Sequence, residues 1–355
     1  MTTLKDTQIK GNKAETNPFL QAMAGEKTKQ TPVWLMRQAG RYMKVYRDLK
    51  EKWGFRELCH NPELAATVTT DAAKALKVDA AIIFADILLI LEALDLGLHF
   101  EAGEGPVIEK PIKSAEDVIA LPDIDAGQKL SYVGQSIKNT IHNLGPSIPV
   151  IGFAGAPFTV ASYAIEGGGS RNFEKAKSFM YHQSDAWHNL MDKLVVHTAS
   201  YLNMQVASGA SVVQLFDSWV GALSPADFKE FALPHLKKLI ASISKDAYIV
   251  YFGTQTNGLL NQFRELDAHT IGVDWRIDLD TAWNIIGHNK GIQGNLDPVT
   301  LFADKETIKK RAIEILDKAE GRPGHIFNLG HGILPQTPVD NVKYLVEVVQ
   351  SYKNK

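Results

Sequence analysis

Cysteine is almost missing: the 355 residues hold one, Cys59. No intrachain disulfide can form, and a cysteine-rich zinc site is excluded. That usage fits a reducing compartment, so a cytoplasmic location is expected. A surplus of either charge is missing as well, since 38 Lys+Arg against 40 Asp+Glu leave a net charge of −2. Protein-wide attraction to nucleic acid or to an anionic membrane is thereby excluded as a partner principle, and any anion site must be local. No apolar run is long enough to span a membrane. The most apolar stretch, Ala80 to Leu91, is short and carries Asp86 in its middle, as a buried strand and its exit would. P-loop, His-Glu-x-x-His and Gly-x-Ser-x-Gly patterns are absent, and the glycine run Gly167–Gly169 follows a helical segment instead of opening one after a strand. The first 17 residues are mostly polar and are expected to form a disordered tail.

What is present is ordinary globular material, 45% apolar and 22% charged. Short apolar or β-branched runs occur at Val33–Met36, Ala80–Phe84, Pro149–Phe153, Ser211–Phe216, Ala247–Phe252, Thr270–Val273, Gly291–Gln293 and Ile326–Leu329. Several are continuously apolar, the pattern of strands covered on both faces. Amphipathic helical stretches lie between them, at Pro62–Lys77, from Ser184 to just before Gly209, and at Pro225–Lys245, Asp304–Glu320 and Pro338–Tyr352. Alternating strands and helices imply an α/β fold with a parallel sheet. Polar residues stand just past many strands: Arg37, Asp86, Asp217–Ser218, Thr254–Gln255, Asp274–Trp275–Arg276, Asn295, Asp297 and His331. A closed barrel brings all such ends to one mouth, whereas an open sheet uses only its switch-point crevice, so a (β/α)8 TIM barrel is favoured.

Four stretches carry candidate chemistry. Arg37 and Arg41 flank Gln38-Ala39-Gly40 after the first strand. A carboxylate or phosphate clamp and a pair of solvated arginines are both open readings, with Arg47 and Lys50 placed on a solvated face. Asp86 is framed by aliphatic residues, where a carboxylate costs several kcal/mol to bury unless paired. It reads either as a helix cap or ion-pair partner, or as a charged acceptor aimed into an apolar pocket. The small residues of Gly152-Phe-Ala-Gly-Ala-Pro-Phe-Thr-Val-Ala-Ser-Tyr163 permit close approach of a planar ligand and of an anion to free N–H groups, or simply close packing of helix on strand. His331, in Asn328-Leu-Gly-His-Gly-Ile-Leu-Pro, reads equally as a loop anchor or a site residue. His182, His188 and His197 are expected on the surface, and Cys59 as a small buried side chain.

Taken together, Met-Arg37-Gln38-Ala39-Gly40-Arg41-Tyr, the Gly152–Tyr163 stretch with its following Glu-Gly-Gly-Gly, Gln-Leu-Phe-Asp-Ser218-Trp, Val-Asp-Trp-Arg276, Gln-Gly-Asn-Leu-Asp297-Pro and Asn-Leu-Gly-His331-Gly-Ile-Leu-Pro resemble the uroporphyrinogen decarboxylase family from about Asn17 to Lys353. The resemblance implies one barrel domain over 18–355 and a homodimer. It implies that the four acetate arms of uroporphyrinogen become methyl groups, giving coproporphyrinogen, with no metal and no organic cofactor. It assigns catalysis to Asp86, Arg37 and Tyr163, and substrate contact to Arg37, Gln38, Ala39, Gly40, Arg41, Phe55, Asp86, Tyr163, Ser218 and His331. The chain departs from the family at Met43-Lys44, where Pro-Glu is usual, and at Ala85, where serine is usual. Two rival readings are a corrinoid-linked methyltransferase of the same superfamily and a non-catalytic tetrapyrrole carrier. The first needs cysteine and histidine zinc ligands on late strands, which the lone early Cys59 opposes. The second has no use for Asp86 together with Arg37, Arg41 and Tyr163.

Overall fold

The structure is a computed structural model that describes residues 17–101 and 105–353. Apart from Asn17, the expected N-terminal tail lies outside the described residues. Asn17 itself is buried, and its side chain caps the first helix by accepting from the Phe19 and Leu20 amides. Nine strands occur among the described residues: β1 (Ala81–Ile82), β2 (Leu98–Glu101), β3 (Gly105–Ile108), β4 (Val150–Gly155), β5 (Val212–Asp217), β6 (Tyr248–Gly253), β7 (Thr270–Gly272), β8 (Gly291–Gln293) and β9 (His325–Ile326). Seven of them form one parallel sheet in the order β1-β4-β5-β6-β7-β8-β9, while β2 and β3 form an antiparallel hairpin. All residues of β4 and β6 are buried, as continuous apolar runs require when helices cover one face and a filled interior the other.

The hairpin is the one pairing that the strand inventory missed. Leu98-His-Phe100-Glu alternates apolar and polar residues, and glycine follows in the sequence at 103 and 105, which is the signal for it. Conversely, the strand expected at Val33–Met36 does not form a ladder. Val33 makes an isolated parallel bridge to Phe327. The Phe327 amide donates to the Pro32 carbonyl at 2.9 Å, and the Asp79 amide donates to the Val33 carbonyl, also at 2.9 Å. The Val33 amide goes to the Asp79 carboxylate instead of to a backbone oxygen, at 2.8 Å. A turn then closes at once, with the Gln38 amide donating to the Leu35 carbonyl. The expectation of eight laddered strands is thus corrected to a seven-stranded curled sheet with a short segment bonded to both of its outer regions.

The helices follow their caps. Asn61 accepts from the Glu63 and Leu64 amides ahead of Pro62–Leu76, with proline at the first position. The 24-residue helix Ser184–Ala207 buries Trp187, Leu190, Met191, Leu194, Tyr201 and Leu202 on one stripe. His197 shares that stripe, seven residues after Leu190, and is buried. His188 is half-buried and stacks on Phe231 at 5.7 Å, and only His182 of the three lies exposed. The stretch Pro225–Lys245 breaks into Pro225–Asp227, a π-turn at Phe228–Ala232 and Leu233–Ser242. Pro234, which cannot donate to the preceding turn, follows that break directly. A second apolar cluster joins Val33, Leu35, Phe327 and Leu329 to Leu316, Val342 and Leu345, so the early segment packs under the last helices. No helix of the described residues is long and apolar enough to cross a membrane.

Where β1 ends, β4 loses its neighbour. The Gln205 side chain takes that neighbour's place: its Oε1 accepts from the Phe153 amide at 2.9 Å and its Nε2 donates to the Phe153 carbonyl at 3.0 Å. Gly152 makes room, since a Cβ there would lie 2.4 Å from Gln205 Oε1. A Gln205→Leu variant leaves two buried backbone groups unpaired, at about 1–3 kcal/mol each. Its thermal midpoint is expected to fall by several degrees in calorimetry, and an unchanged midpoint would show that the amide is no substitute strand.

Candidate active site

At the ends of the strands lies a cleft of about 800 Å³. Most of its polar lining comes from five places. Arg37, Gly40 and Arg41 belong to the turn after the Val33 segment, Asp86 to the exit of β1, and Tyr163, Ser218 and His331 to the exits beyond β4, β5 and β9. Ala39 and Phe55 line it too. These expected residues therefore converge. Gln38 does not. It is fully buried beneath the turn, where its side chain accepts from the Leu35 amide and donates to the Ala80 carbonyl, each at 3.4 Å. The expectation of substrate contact for Gln38 is corrected to that of a strut tying the arginine turn to the segment before β1.

The turn is fixed from several sides. Arg37 has φ 61°, a left-handed backbone that a non-glycine residue holds only when its surroundings demand it. Met36 donates to Asn328 Oδ1 at 3.0 Å, and Ile333 donates to the Met36 carbonyl at 2.9 Å. The Tyr42 hydroxyl donates to the Gln38 carbonyl at 2.6 Å, while the Arg47 guanidinium donates to the Arg41 and Tyr42 carbonyls. Arg47 is exposed, as the sequence suggests, and also braces the turn. The Arg37 side chain lies across Gly332, where a Cβ would come 2.3 Å from its Cδ. That contact explains the glycine after His331.

Asp86 occupies the apolar side. Its Oδ1 accepts from the Leu88 amide at 2.8 Å, so the cap reading of this residue is realised along with its place in the cleft. Part of the carboxylate opens onto the cleft, yet protein surrounds it. That desolvation pushes its pKa up to about 6 against the opposing pull of the Leu88 amide and the Arg37 charge. Among the described lining residues it is the only acid, facing Arg37, Arg41 and Lys50. Arg37 is accessible from the cleft but enclosed by protein on most sides. Burial and the neighbouring Arg41 lower its pKa, while Asp86 works to raise it. Tyr163 stacks on Trp219 with ring centres 3.6 Å apart, and burial and then Asp86 push its hydroxyl up to about 12. Burial, and then the Arg37 charge, holds the His331 imidazole down at about 4.

Several lining residues escaped the sequence reading. Phe153, Phe216 and Phe252 stand near the ends of β4, β5 and β6 and meet edge to face at 5.4 and 5.9 Å, forming an aromatic floor. The signal was available: one phenylalanine stands within the last three residues of each of these strands. Phe55 meets Phe84 and Phe100 at 6.0 and 4.7 Å. It is aimed there by Gly54, whose φ of 77° breaks the helix Lys44–His60. Lys50, expected on a solvated face, is exposed but at the cleft rim. Two acids expected at the mouth are instead buried supports. Asp217 accepts from the Thr159 and Tyr251 hydroxyls at 2.6 and 2.8 Å, and Asp274 accepts from the Gln255 and Arg276 amides and the Arg276 guanidinium. The Gly152–Tyr163 stretch resolves to close packing. A Cβ at Gly155 would lie 2.6 Å from the Ile87 carbonyl, the Ala156 amide is taken by the Phe216 carbonyl, and only Phe153 and Tyr163 of the stretch line the cleft.

With this geometry in hand, the likenesses to known proteins are informative. The sequence model of the family described as uroporphyrinogen decarboxylase matches residues 14–352. The chain is 52% identical over 339 residues to a uroporphyrinogen decarboxylase of Chloroflexus aurantiacus, covering 94% of this chain and 95% of that one. It is 50% identical over 344 residues to one of Koribacter versatilis, covering 96% and 98%. In structure it resembles a methyltransferase from Methanosarcina mazei with a TM-score of 0.75 at 22% identity, over 98% of each chain, a likeness of fold alone.

The raised pKa of Asp86 has a stability consequence of definite sign. The native state binds the Asp86 proton more tightly than the unfolded chain does. The cost of ionising it is therefore absent below its ordinary 3.8 and fully present above about 6. Asp86→Asn removes that cost. The variant is expected to melt above the parent at pH 8, with the gap shrinking toward pH 4 in paired calorimetric scans. A gap independent of pH would contradict the desolvated placement of this carboxylate.

Proposed function

We propose how this cleft works from the premise that the chain belongs to the uroporphyrinogen decarboxylase family. The chain is a carboxy-lyase that removes carbon dioxide from the acetate arms of uroporphyrinogen III, leaving methyl groups and yielding coproporphyrinogen III. The observation that carries the mechanism is one carboxylate, Asp86, set in an aromatic cleft of about 800 Å³ with cationic side chains across from it. That volume suits a large organic ligand.

Loss of carbon dioxide leaves an electron pair that needs a sink. A pyrrole supplies one when its ring carbon beside the arm is protonated, because the resulting cation draws in the electrons of the breaking bond. Asp86 is the fixed anion that stabilises that cation, and it accepts the pyrrole N–H groups of a macrocycle folded over it. A preorganised charge in a site shielded from water is worth several kcal/mol to such a transition state. Arg37 and Arg41 hold substrate carboxylates from the opposite side, with Lys50 at the rim. Tyr163 and Ser218 orient the arms through their hydroxyls. His331, with its pKa held down at about 4, does so as a neutral imidazole at physiological pH.

The same reading takes Pro32–Leu35 as the eighth stave of a (β/α)8 barrel spanning 18–355. Its hydrogen bonds to Phe327 on one side and Asp79 on the other support this. A homodimer, carried over from the family resemblance, and a cytoplasmic location, from the cysteine usage, complete the proposal.

Anaerobic turnover of uroporphyrinogen III, with products separated by carboxyl count, tests the reading. Stepwise loss of four carboxyl groups is expected, and tight binding without loss would instead make the chain a tetrapyrrole carrier. Asp86→Asn should keep the fold and lose turnover by about 100-fold or more, the scale of removing one preorganised electrostatic group. In the parent, kcat/KM should rise with pH through about 6 as Asp86 ionises, a limb the Asn variant lacks. Near-normal turnover in the variant would end the role assigned to Asp86.

Arg37→Ala is expected to raise KM and lower kcat. Gly332→Ala, which forces the Arg37 side chain aside, should reproduce part of that loss at an unchanged melting temperature. Unaltered kinetics in both variants would remove Arg37 from the site.

A further inference from the structure

A second cavity, of about 280 Å³, adjoins the cleft and shares Asp86, Phe55 and Phe100 with it. None of the sequence motifs points to it, and the mechanism above leaves its polar groups unused. On its wall His60 Nε2 meets Glu92 Oε1 at 2.6 Å, each side chain about a quarter exposed. His60 Nδ1 is held by the Arg56 carbonyl at 2.8 Å, so the ring is fixed with both nitrogens engaged. Tyr132 packs against that ring at 4.9 Å, and its hydroxyl is buried with no hydrogen-bond partner among the described residues. The Tyr201 hydroxyl, also buried and unpartnered, lies near enough to Tyr132 and Asp86 to feel their charge. Orphaned hydroxyls behind a chamber that carries His60, Glu92 and Asp86 on a largely apolar wall favour internal water at those polar groups. The outer end, at Trp53, Gly54, Arg56 and Glu57, is exposed.

We propose that this chamber is the proton inlet of the decarboxylase and that the His60–Glu92 pair is its relay, passing protons from bulk water to the Asp86 side of the bound substrate. The proposal rests on the decarboxylase reading. Each turnover breaks the bond between the methylene and carboxylate carbons and sends the electron pair into the protonated pyrrole. A proton then adds to the methylene carbon to make the methyl group, and the ring carbon gives up the proton it had gained. Carbon dioxide leaves and one proton is consumed. A macrocycle seated in the cleft covers the route past Arg37 and Arg41, whereas the chamber reaches Asp86 from another side. The pair holds one proton across its short contact. Glu92 hands it inward through chamber water, and His60, about a quarter exposed, is recharged from outside. The bond to Glu92 raises the His60 pKa, which favours the protonated ring. Cys59, also on the wall, has its thiol pushed up by burial and stays protonated throughout.

His60→Gln and Glu92→Gln test this in the full chain. With uroporphyrinogen III, kcat is expected to fall about tenfold or more, the lower range for a lost acid–base group, while KM stays within about twofold. The solvent deuterium isotope effect on kcat should grow, because proton entry becomes limiting. Imidazole should restore rate to His60→Ala. Unchanged kcat and isotope effect in both Gln variants would overturn the relay. So would a loss of rate with no added isotope effect and no imidazole recovery, which assigns the pair to packing. A parent enzyme that releases no carbon dioxide would overturn the decarboxylase reading itself, and the relay with it.

Discussion

A carboxylate that the protein has taken out of water governs this structure. Asp86 sits at the exit of a two-residue strand, among Phe84, Leu88 and the aromatic floor, with one backbone amide on its Oδ1. Such a group is stable in its ionised form only if something nearby answers its charge. The protein supplies less than full compensation: one amide and the field of Arg37 leave the carboxyl titrating at about 6. A fully neutralising ion pair would have made Asp86 inert. Partial compensation leaves a charge whose remaining demand a cationic ligand can satisfy, which is the property the proposed mechanism assigns to the pyrrolium-type transition state.

Keeping Arg37 from collapsing onto Asp86 is the corresponding problem on the other wall, and it is solved in the backbone. The left-handed φ at Arg37, the Gln38 strut, the Asn328 bond to Met36 and the absence of a Cβ at Gly332 all act on where one guanidinium can lie. Each bond is modest alone, about 1 kcal/mol net. Their joint effect is geometric. They draw on the first segment, the segment before β1 and the loop after β9, which meet only because Pro32–Leu35 bonds to both outer regions of the sheet. Closure of the sheet and placement of the cationic wall are thus one structural fact.

How much of this the sequence disclosed depended on which physics each residue obeys. Apolar runs obey burial, so β4 to β8 and the helices at Pro62–Leu76, Ser184–Ala207, Lys305–Lys318 and Val339–Ser351 were legible within a residue or two, while the stretch from Pro225 was read as one helix where three short pieces stand. Val33–Met36 looked like any other strand, but its Val33 amide takes the Asp79 carboxylate in place of a backbone carbonyl, and composition carries no sign of that. Asp86 was legible because a charge in an aliphatic frame is costly enough to demand a reason. Gln38 was misread because residues adjoining a binding loop share its motif whether they face the ligand or brace the loop from below. Asp217 and Asp274 were misplaced for a related reason: a polar residue at a strand exit can face the mouth or lock the exit itself. The glycines at 152 and 155 were ambiguous until their neighbours, Gln205 and the Ile87 carbonyl, became known. The His60–Glu92 pair is 32 residues apart in sequence, and nothing local announces it.

One dry environment acts on three different groups and separates their charge states. Desolvation favours the neutral form of each. It pushes Asp86 up to about 6, pushes Tyr163 up to about 12 and holds His331 down at about 4. Near neutral pH the results differ because the starting values differ. Asp86 is still mostly ionised, Tyr163 remains a hydroxyl donor, and His331 carries no charge. The acidic wall therefore holds one negative charge, the cationic wall holds Arg37, Arg41 and Lys50, and the residues between them are neutral hydrogen-bonding groups. A substrate with carboxylates at its edge and N–H groups at its centre meets attraction in both places. Had His331 kept its ordinary pKa of 6.5, it would add a fractional positive charge near Arg37 at neutral pH. The burial that raises the Asp86 pKa thus also keeps His331 from neutralising it.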